Sequence, residues 1–223
     1  MEESRLRGLL RGIRFLFSCL FSFSLYAVCG GPLARYRRAI QLSWCRSMLG
    51  FVGIHVHPVG ETRIDGPTLY VVNHLSYMDI PVLSSVVEGT FVAKAEVAHW
   101  PLFGFAARIT RTVFINRVSS EAQAQRKMMH ERLMNGERLI LFPEGTSTDG
   151  SGVAPFKSAL FGLAQGQADD PELIIQPISM IYARGLDGTP LVGPLRELYC
   201  WYGEASLFPH LMRMLRLPGC HVE

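Results

Sequence analysis

The stretch LYVVNHLSYMDI, residues 69–80, restricts the folding of this 223-residue chain most: a run of strand formers stops at Asn73 and His74, and Asp79 follows five residues later. The run reads as a buried strand. Its carboxyl end delivers a histidine to the place where open α/β sheets keep their ligand crevices, and a helix can begin at once with Ser76 as N-cap. His74 and Asp79 are too far apart for one helical face, where neighbours lie three or four residues apart, so their pairing requires a turn. A carboxylate on one imidazole nitrogen fixes the tautomer and leaves the other nitrogen to take a proton from an alcohol. The competing reading is structural, because Ser76-x-x-Asp79 is close to a capping box in which Asp79 complements a helix N-terminus.

The segments around this stretch predict an α/β fold with a mostly parallel central sheet flanked by helices. Residues 52–59 alternate as a strand with His55 and His57 on one face, and residues 65–67 (DGP) turn the chain into the 69–72 strand. The His-x-His pair lacks a third metal ligand of suitable spacing, so no metal site is expected. Residues 90–94 form a strand ending at Lys94, and the aromatic loop 99–105 then either walls a ligand channel or closes the core. A strand over 112–116 ends at Arg117, a helix runs from Ser120 to the Asn135-Gly136 stop, and 138–142 is the next strand. Strand, helix, strand at this spacing implies a right-handed crossover and a parallel sheet, which sets Arg117 and Glu144 on the same rim as His74. Residues 144–152 (EGTSTDGSG) form a small-residue loop whose amides, near Gly145 and Thr146, suit an oxyanion, and Pro155 opens a helix containing Lys157. The loop is not a P-loop, because the Gly-x4-Gly-Lys-Ser/Thr order is missing. A strand over 173–182 carries Pro177, which suits an edge or a bulge. A helix over 207–217 follows, and residues 220–223 begin a further strand, so the chain is expected to run on.

The N-terminal 50 residues have a different character. Residues 1–46 hold eight arginines against Glu2 and Glu3, a net +6 that leaves −3 for the rest of the chain. This charge sits beside an apolar run over 9–28 that is stopped by Gly30-Gly31-Pro32, a combination that suits a membrane surface and not a nucleic acid. The charge-free part, residues 15–29, would extend about 22 Å as a helix, short of the roughly 30 Å hydrocarbon core, so a full span requires Arg11 and Arg14 to snorkel. A retained anchor is preferred over a signal peptide, since no small-x-small cleavage site follows. Residues 35–48 form a second amphipathic helix with Tyr36, Ile40, Trp44 and Met48 on one face, and the pair can lie in one leaflet as a hairpin. The expected organisation is a membrane-associated helical segment over 1–50 and a catalytic domain over 51–223. Five scattered cysteines without a Cys-x-x-Cys pair indicate a reducing compartment.

Four blocks in order, NHLSYMD (73–79), VFINR (113–117), LFPEGT (141–146) and IQPIS (175–179), resemble the signatures of the glycerolipid acyltransferases, a family that includes lysophosphatidic acid acyltransferases. The similarity spans about 52–179, and ordered co-occurrence is far more specific than any one block. The resemblance implies a His-x4-Asp dyad of His74 and Asp79, and an acceptor site drawing on Asn73, Lys94, Arg117, Glu144, Gly145 and Thr146, with Arg117 on an anionic group and Glu144 supporting it. It gives Pro177 a structural role. The family usually has arginine where Ser147 stands, so one cationic contact is absent here or supplied by Lys157 or Arg184.

The implied activity is O-acyl transfer from acyl-CoA or acyl carrier protein, as co-substrate and without a further cofactor, to a lysolipid hydroxyl. The expected acceptor is 1-acyl-sn-glycerol-3-phosphate, giving phosphatidic acid in phospholipid synthesis, with a lyso-ornithine lipid as the alternative. The enzyme would be membrane-associated with its catalytic domain on the cytoplasmic side. Two readings from other classes compete: a serine hydrolase using Ser76, which lacks any Gly-x-Ser-x-Gly elbow, and a silent lipid-binding protein, which would not need both His74 and Asp79.

Overall fold

The structure is a computed structural model that describes residues 3–28, 35–62, 65–100, 103–116, 121–157 and 172–223. Two helices come first, α1 (Arg5–Val28) and α2 (Arg37–Val52), followed by β1 (Ile54–Val56), β2 (Thr68–Val72), α3 (Asp79–Val86) and β3 (Thr90–Lys94). A 3-10 turn (Ala95–His99) leads to α4 (Phe103–Ile109), β4 (Val113–Ile115), α5 (Ala122–Met134) and β5 (Arg138–Leu141). The remainder is β6 (Ile174–Ile178), β7 (Tyr182–Gly185), a short α6 (Pro194–Glu197), α7 (Leu207–Arg216) and β8 (Cys220–Val222).

Five strands form a sheet in the order β4-β3-β5-β2-β6, parallel throughout. Every residue of β2 is buried, as a parallel strand covered on both faces requires. Alternation divides it: Tyr70 and Val72 enter one apolar cluster with Phe91 and Ile140, whereas Leu69 and Val71 enter another with Met129 and Leu133 of α5. Because the strands are parallel, β2, β3 and β5 end on one rim and bring His74, Lys94 and Glu144 to it. β4 ends on that rim too, but Arg117 lies outside the described residues. Pro177 sits on the edge strand β6 opposite Val71, where its missing N–H costs no ladder bond on the open side.

A second sheet, β1-β8-β7, pairs β8 parallel to β1 and antiparallel to β7. It differs from the expected strand over 52–59: Val52 still belongs to α2, and Gly53, at φ 75°, caps that helix in the left-handed conformation before β1 begins. His55 and His57 flank His221 of β8, with His57 Nε2 2.8 Å from His221 Nδ1. The expected strand over 173–182 is two strands. Asn73 Nδ2 donates to the Met180 carbonyl (2.9 Å) and its Oδ1 accepts the Met180 amide (2.7 Å), which draws the chain out of the ladder between β6 and β7. Two further expectations are corrected. Residues 153–157 carry no helix, the Lys157 amide instead bonding to the Pro143 carbonyl (2.8 Å), and Phe103 opens α4 within the predicted aromatic loop.

Helix α1, at 24 residues, extends about 36 Å and is long and apolar enough to cross a membrane. One face packs inward through Phe15 and Cys19, with the Phe23 ring 5.6 Å from that of Trp44 on α2. Met48 and Trp44 of the α2 stripe face the core, while Tyr36 is exposed. The outer face of α1 exposes Leu9, Leu16, Phe17, Leu20 and Phe21. Arg11 does not snorkel. Its Nη1 donates to the carbonyls of Leu217 (2.7 Å) and Val52 (3.3 Å), and its Nη2 to that of Pro218 (3.1 Å). These carbonyls close α7 and α2, where no intrahelical N–H reaches them and the helix dipoles are negative. One guanidinium thus joins three helices. Arg11→Ala is expected to lower stability by about 1.5–3 kcal/mol, the usual contribution of charged hydrogen bonds, read as a lower unfolding midpoint of the protein in detergent.

Candidate active site

His74 is held at four points. Its amide donates to Glu144 Oε1 (2.7 Å), its carbonyl accepts the Thr148 amide (2.9 Å), and its Nδ1 lies 2.7 Å from Asp79 Oδ2. The ring stacks on Phe142, centroids 4.0 Å apart and 17° from parallel. An ionised carboxylate only accepts, so the proton of a neutral imidazole is on Nδ1. Nε2 then has a free lone pair and no partner among the described residues. His74 borders a cavity of about 640 Å³ that extends between the sheet, α2, α3 and α4, past Trp44, Met48, Ile80, Phe91 and Met129.

Asp79 is completely buried, and a buried carboxylate without donors is costly. Its Oδ2 accepts the Leu75 (2.7 Å) and Ser76 (2.9 Å) amides beside His74, and its Oδ1 accepts the Tyr182 hydroxyl (3.0 Å). The bond to the Ser76 amide reaches three residues back as a capping-box carboxylate does, but Asp79 is itself the first residue of α3, so one side chain holds both the turn before the helix and the His74 ring. Ser76 is not the N-cap: Met78 occupies that position, and the Ser76 hydroxyl accepts the Met78 amide at 3.4 Å within the turn. Burial first, and then the Asp79 charge, push the Tyr182 phenol well above the ordinary tyrosine range, so it remains a donor. Its ring stacks on Tyr199 at 5.9 Å, and the Tyr199 hydroxyl donates to the Gly219 carbonyl (2.7 Å).

Of the acceptor residues suggested by resemblance, Lys94, Gly145 and Thr146 line the cavity together with Lys157. Glu144 is buried, with Oε1 on the His74 amide and Oε2 on the Ala154 amide (2.7 Å), so both oxygens tie the end of β2 to the 144–154 loop. The Asn73 amide is engaged at both ends by Met180. Gly145, at φ 68°, closes a turn by donating its amide to the Phe142 carbonyl (3.0 Å). Thr146 is next in line, and its amide has no partner among the described residues. Arg184 pairs with Glu223 at 2.5 Å on the second sheet and is not on the cavity wall. The Ser147 hydroxyl donates to the Trp201 carbonyl (2.5 Å), whose own amide donates to the Leu75 carbonyl (2.8 Å).

Sequence reasoning missed Tyr182, Phe142, Thr148 and the position of Trp201. Phe142 lies inside a signature block, where an aromatic residue after a buried strand end was a usable signal. Tyr182 and Trp201 come from beyond the last block, and no local pattern announces contacts across 103 residues.

Residues 53–181 match the protein family described as Acyltransferase. Over 192 residues the chain is 37% identical to the lyso-ornithine lipid O-acyltransferase of Brucella abortus, covering 84% of this chain and 72% of that one. The identically named protein of Pseudomonas aeruginosa is 32% identical over 221 residues, 96% of this chain and 81% of that one. A 1-acyl-sn-glycerol-3-phosphate acyltransferase of Neisseria meningitidis is 35% identical over 162 residues, with 71% and 62% coverage. The fold is similar to the crystal structure of PlsC, the 1-acyl-sn-glycerophosphate acyltransferase of Thermotoga maritima, with a TM-score of 0.58 at 22% identity over 79% of this chain and 75% of that one. The chain belongs to the acyltransferase family.

Tyr182→Phe keeps the stacked ring and removes the Oδ1 donor of Asp79. Turnover is expected to fall about tenfold, the equivalent of one charged hydrogen bond, while circular dichroism shows a retained fold. Glu144→Gln places an NH2 group against a backbone amide donor. It is expected to cost about 1–3 kcal/mol in denaturant unfolding, whereas a residue that only touches substrate would change KM without this loss.

Proposed function

We propose that this acyltransferase moves a fatty acyl group from a thioester carrier, acyl-CoA or acyl carrier protein, to the hydroxyl of a lysolipid, and that its acceptor is an amino-acid lipid of the lyso-ornithine type. The observation that carries the reading is the His74–Asp79 pair at the border of an apolar cavity of about 640 Å³, a volume that suits a long-chain ligand. His74 Nε2 takes the proton of the acceptor hydroxyl as its oxygen attacks the thioester carbonyl carbon. Asp79 stabilises the imidazolium so formed, and the Thr146 amide, on the cavity wall, would donate to the tetrahedral oxyanion. The C–S bond then breaks, and the departing thiolate takes the proton back from His74. No covalent enzyme intermediate is needed, because a thioester is already activated. Ser76 does not serve as a nucleophile in this scheme, since its hydroxyl is buried and bonded within its own turn.

The acceptor reading rests on the relatives named for lyso-ornithine lipid and on Ser147, whose hydroxyl is tied to Trp201 at the position where the resemblance expects a cation. Lysophosphatidic acid is the second reading, favoured by Lys94 and Lys157 on the cavity wall. Arg117 would hold the anionic group of either acceptor. The exposed apolar face of α1 would rest in a lipid surface, with the catalytic domain on the cytoplasmic side, where acyl donors are made and the buried thiols Cys19, Cys45, Cys200 and Cys220 stay reduced.

The test is acyl transfer by the detergent-purified chain from labelled acyl-CoA and acyl carrier protein to lyso-ornithine lipid and lysophosphatidic acid. His74→Ala is expected to lose about 10²–10⁴-fold in kcat/KM with an unchanged unfolding temperature. A variant near wild-type turnover would remove the dyad. A wild type that prefers lysophosphatidic acid would replace the acceptor and leave the chemistry standing.

A further inference from the structure

Resting on the amino-acid-lipid reading of the acceptor, we infer that Trp100 and Trp201, with Glu96 on the wall of the same cavity, form a subsite for the ammonium group of the acceptor's head group. Both tryptophans line the cavity that His74 borders, and their indoles meet edge to face, with centroids 5.7 Å apart and planes at 88°, as one joined aromatic surface. Tyr77 meets Trp201 edge-on at 5.9 Å and adds aromatic surface toward the dyad.

The position of Trp201 is fixed by the site itself. Its amide donates to the Leu75 carbonyl, one residue past His74, and its carbonyl accepts the Ser147 hydroxyl. The residue that stands where the resemblance expects arginine therefore holds the backbone of Trp201 and contributes no positive charge. The indole N–H donates to the Ala205 carbonyl at 2.7 Å. With that donor engaged within the protein, the ring has its π-face to offer a ligand. An aromatic face attracts cations within about 6 Å of its centroid and has no such attraction for a phosphate.

The charges on the cavity wall complete the argument. Glu96 is the sole acidic side chain among the described residues that line the cavity, and it lies in the 3-10 turn that leads directly into Trp100. Lys94 lines the same cavity two residues earlier. A phosphate monoester gains nothing from an acid and two indoles on the wall that carries its lysine. Ornithine, in contrast, has two amines and a carboxylate. When one amine carries the acyl chain, the other remains an ammonium at neutral pH, because aliphatic amines titrate near about 10. The carboxylate then suits Lys94, and the ammonium suits Glu96 and the indole faces.

The experiment uses the full chain in detergent with two acceptors, lyso-ornithine lipid and the same lipid with its free amine acetylated. Wild type is expected to favour the ammonium form by about tenfold in kcat/KM. In Trp201→Leu, Trp100→Leu and Glu96→Gln that ratio is expected to fall toward one, since each removes part of what distinguishes the two lipids. Indoles that merely wall the mouth would lower both values together and keep the ratio. A wild type that uses both lipids equally, or variants that keep the wild-type ratio, would overturn the subsite while leaving the acceptor reading intact. A wild type that acylates lysophosphatidic acid and neither ornithine lipid would overturn the acceptor reading, and the subsite with it. The wild-type comparison requires no variant to fold.

Discussion

Two carboxylates without solvent set the terms for this structure. Asp79 and Glu144 are 0% and 1% exposed, and each is stable there only because donors converge on it. Among the described residues neither pairs with a lysine or arginine. Asp79 collects the His74 imidazole, two amides and a phenol, and Glu144 collects two amides from segments ten residues or more away. The backbone around them therefore has little freedom to rearrange without stranding a buried charge. His74 stands at the crossing of the two networks, with its ring on one carboxylate and its amide on the other. In the proposed mechanism a base oriented in this way needs no reorganisation when the acceptor arrives.

The networks also draw on the 42 residues that follow the matched family region. The matched family region ends at residue 181, and the phenol on Asp79 comes from the next residue, on a sheet that β8 joins to β1. Tyr199 packs that phenol in place, and Trp201 closes onto Leu75 and Ser147. Arg11 draws α1 onto the ends of α2 and α7, which brings the N-terminal pair of helices against the core that walls the cavity. The two N-terminal helices are thus structural parts of the catalytic unit as well as its apolar exterior.

What was legible in the sequence follows from the range of each interaction. β2 declared itself through an unbroken apolar run, and the parallel sheet followed from strand and helix spacing, both local properties. The His74–Asp79 pair was legible because its partners are five residues apart. A turn-holding Asp79 and a His74 partner seemed to be alternatives only because sequence cannot show that one carboxylate has enough lone pairs for both. The break at Met180 and the grip of Arg11 on helix ends were not legible. Each depends on a partner chosen by tertiary packing, 107 residues away for Asn73 and 206 for Arg11.

The orientation of the base is the centre of the account, and the tautomer of His74 measures it directly. With ¹⁵N-labelled histidine in the full chain, nitrogen chemical shifts recorded where the imidazole is neutral distinguish a protonated from an unprotonated ring nitrogen. A proton on Nδ1 and a bare Nε2 are predicted, with the Nδ1 proton held in the short bond to Asp79. A proton on Nε2 would mean that Asp79 does not orient the ring, and it would contradict the use of His74 as the base.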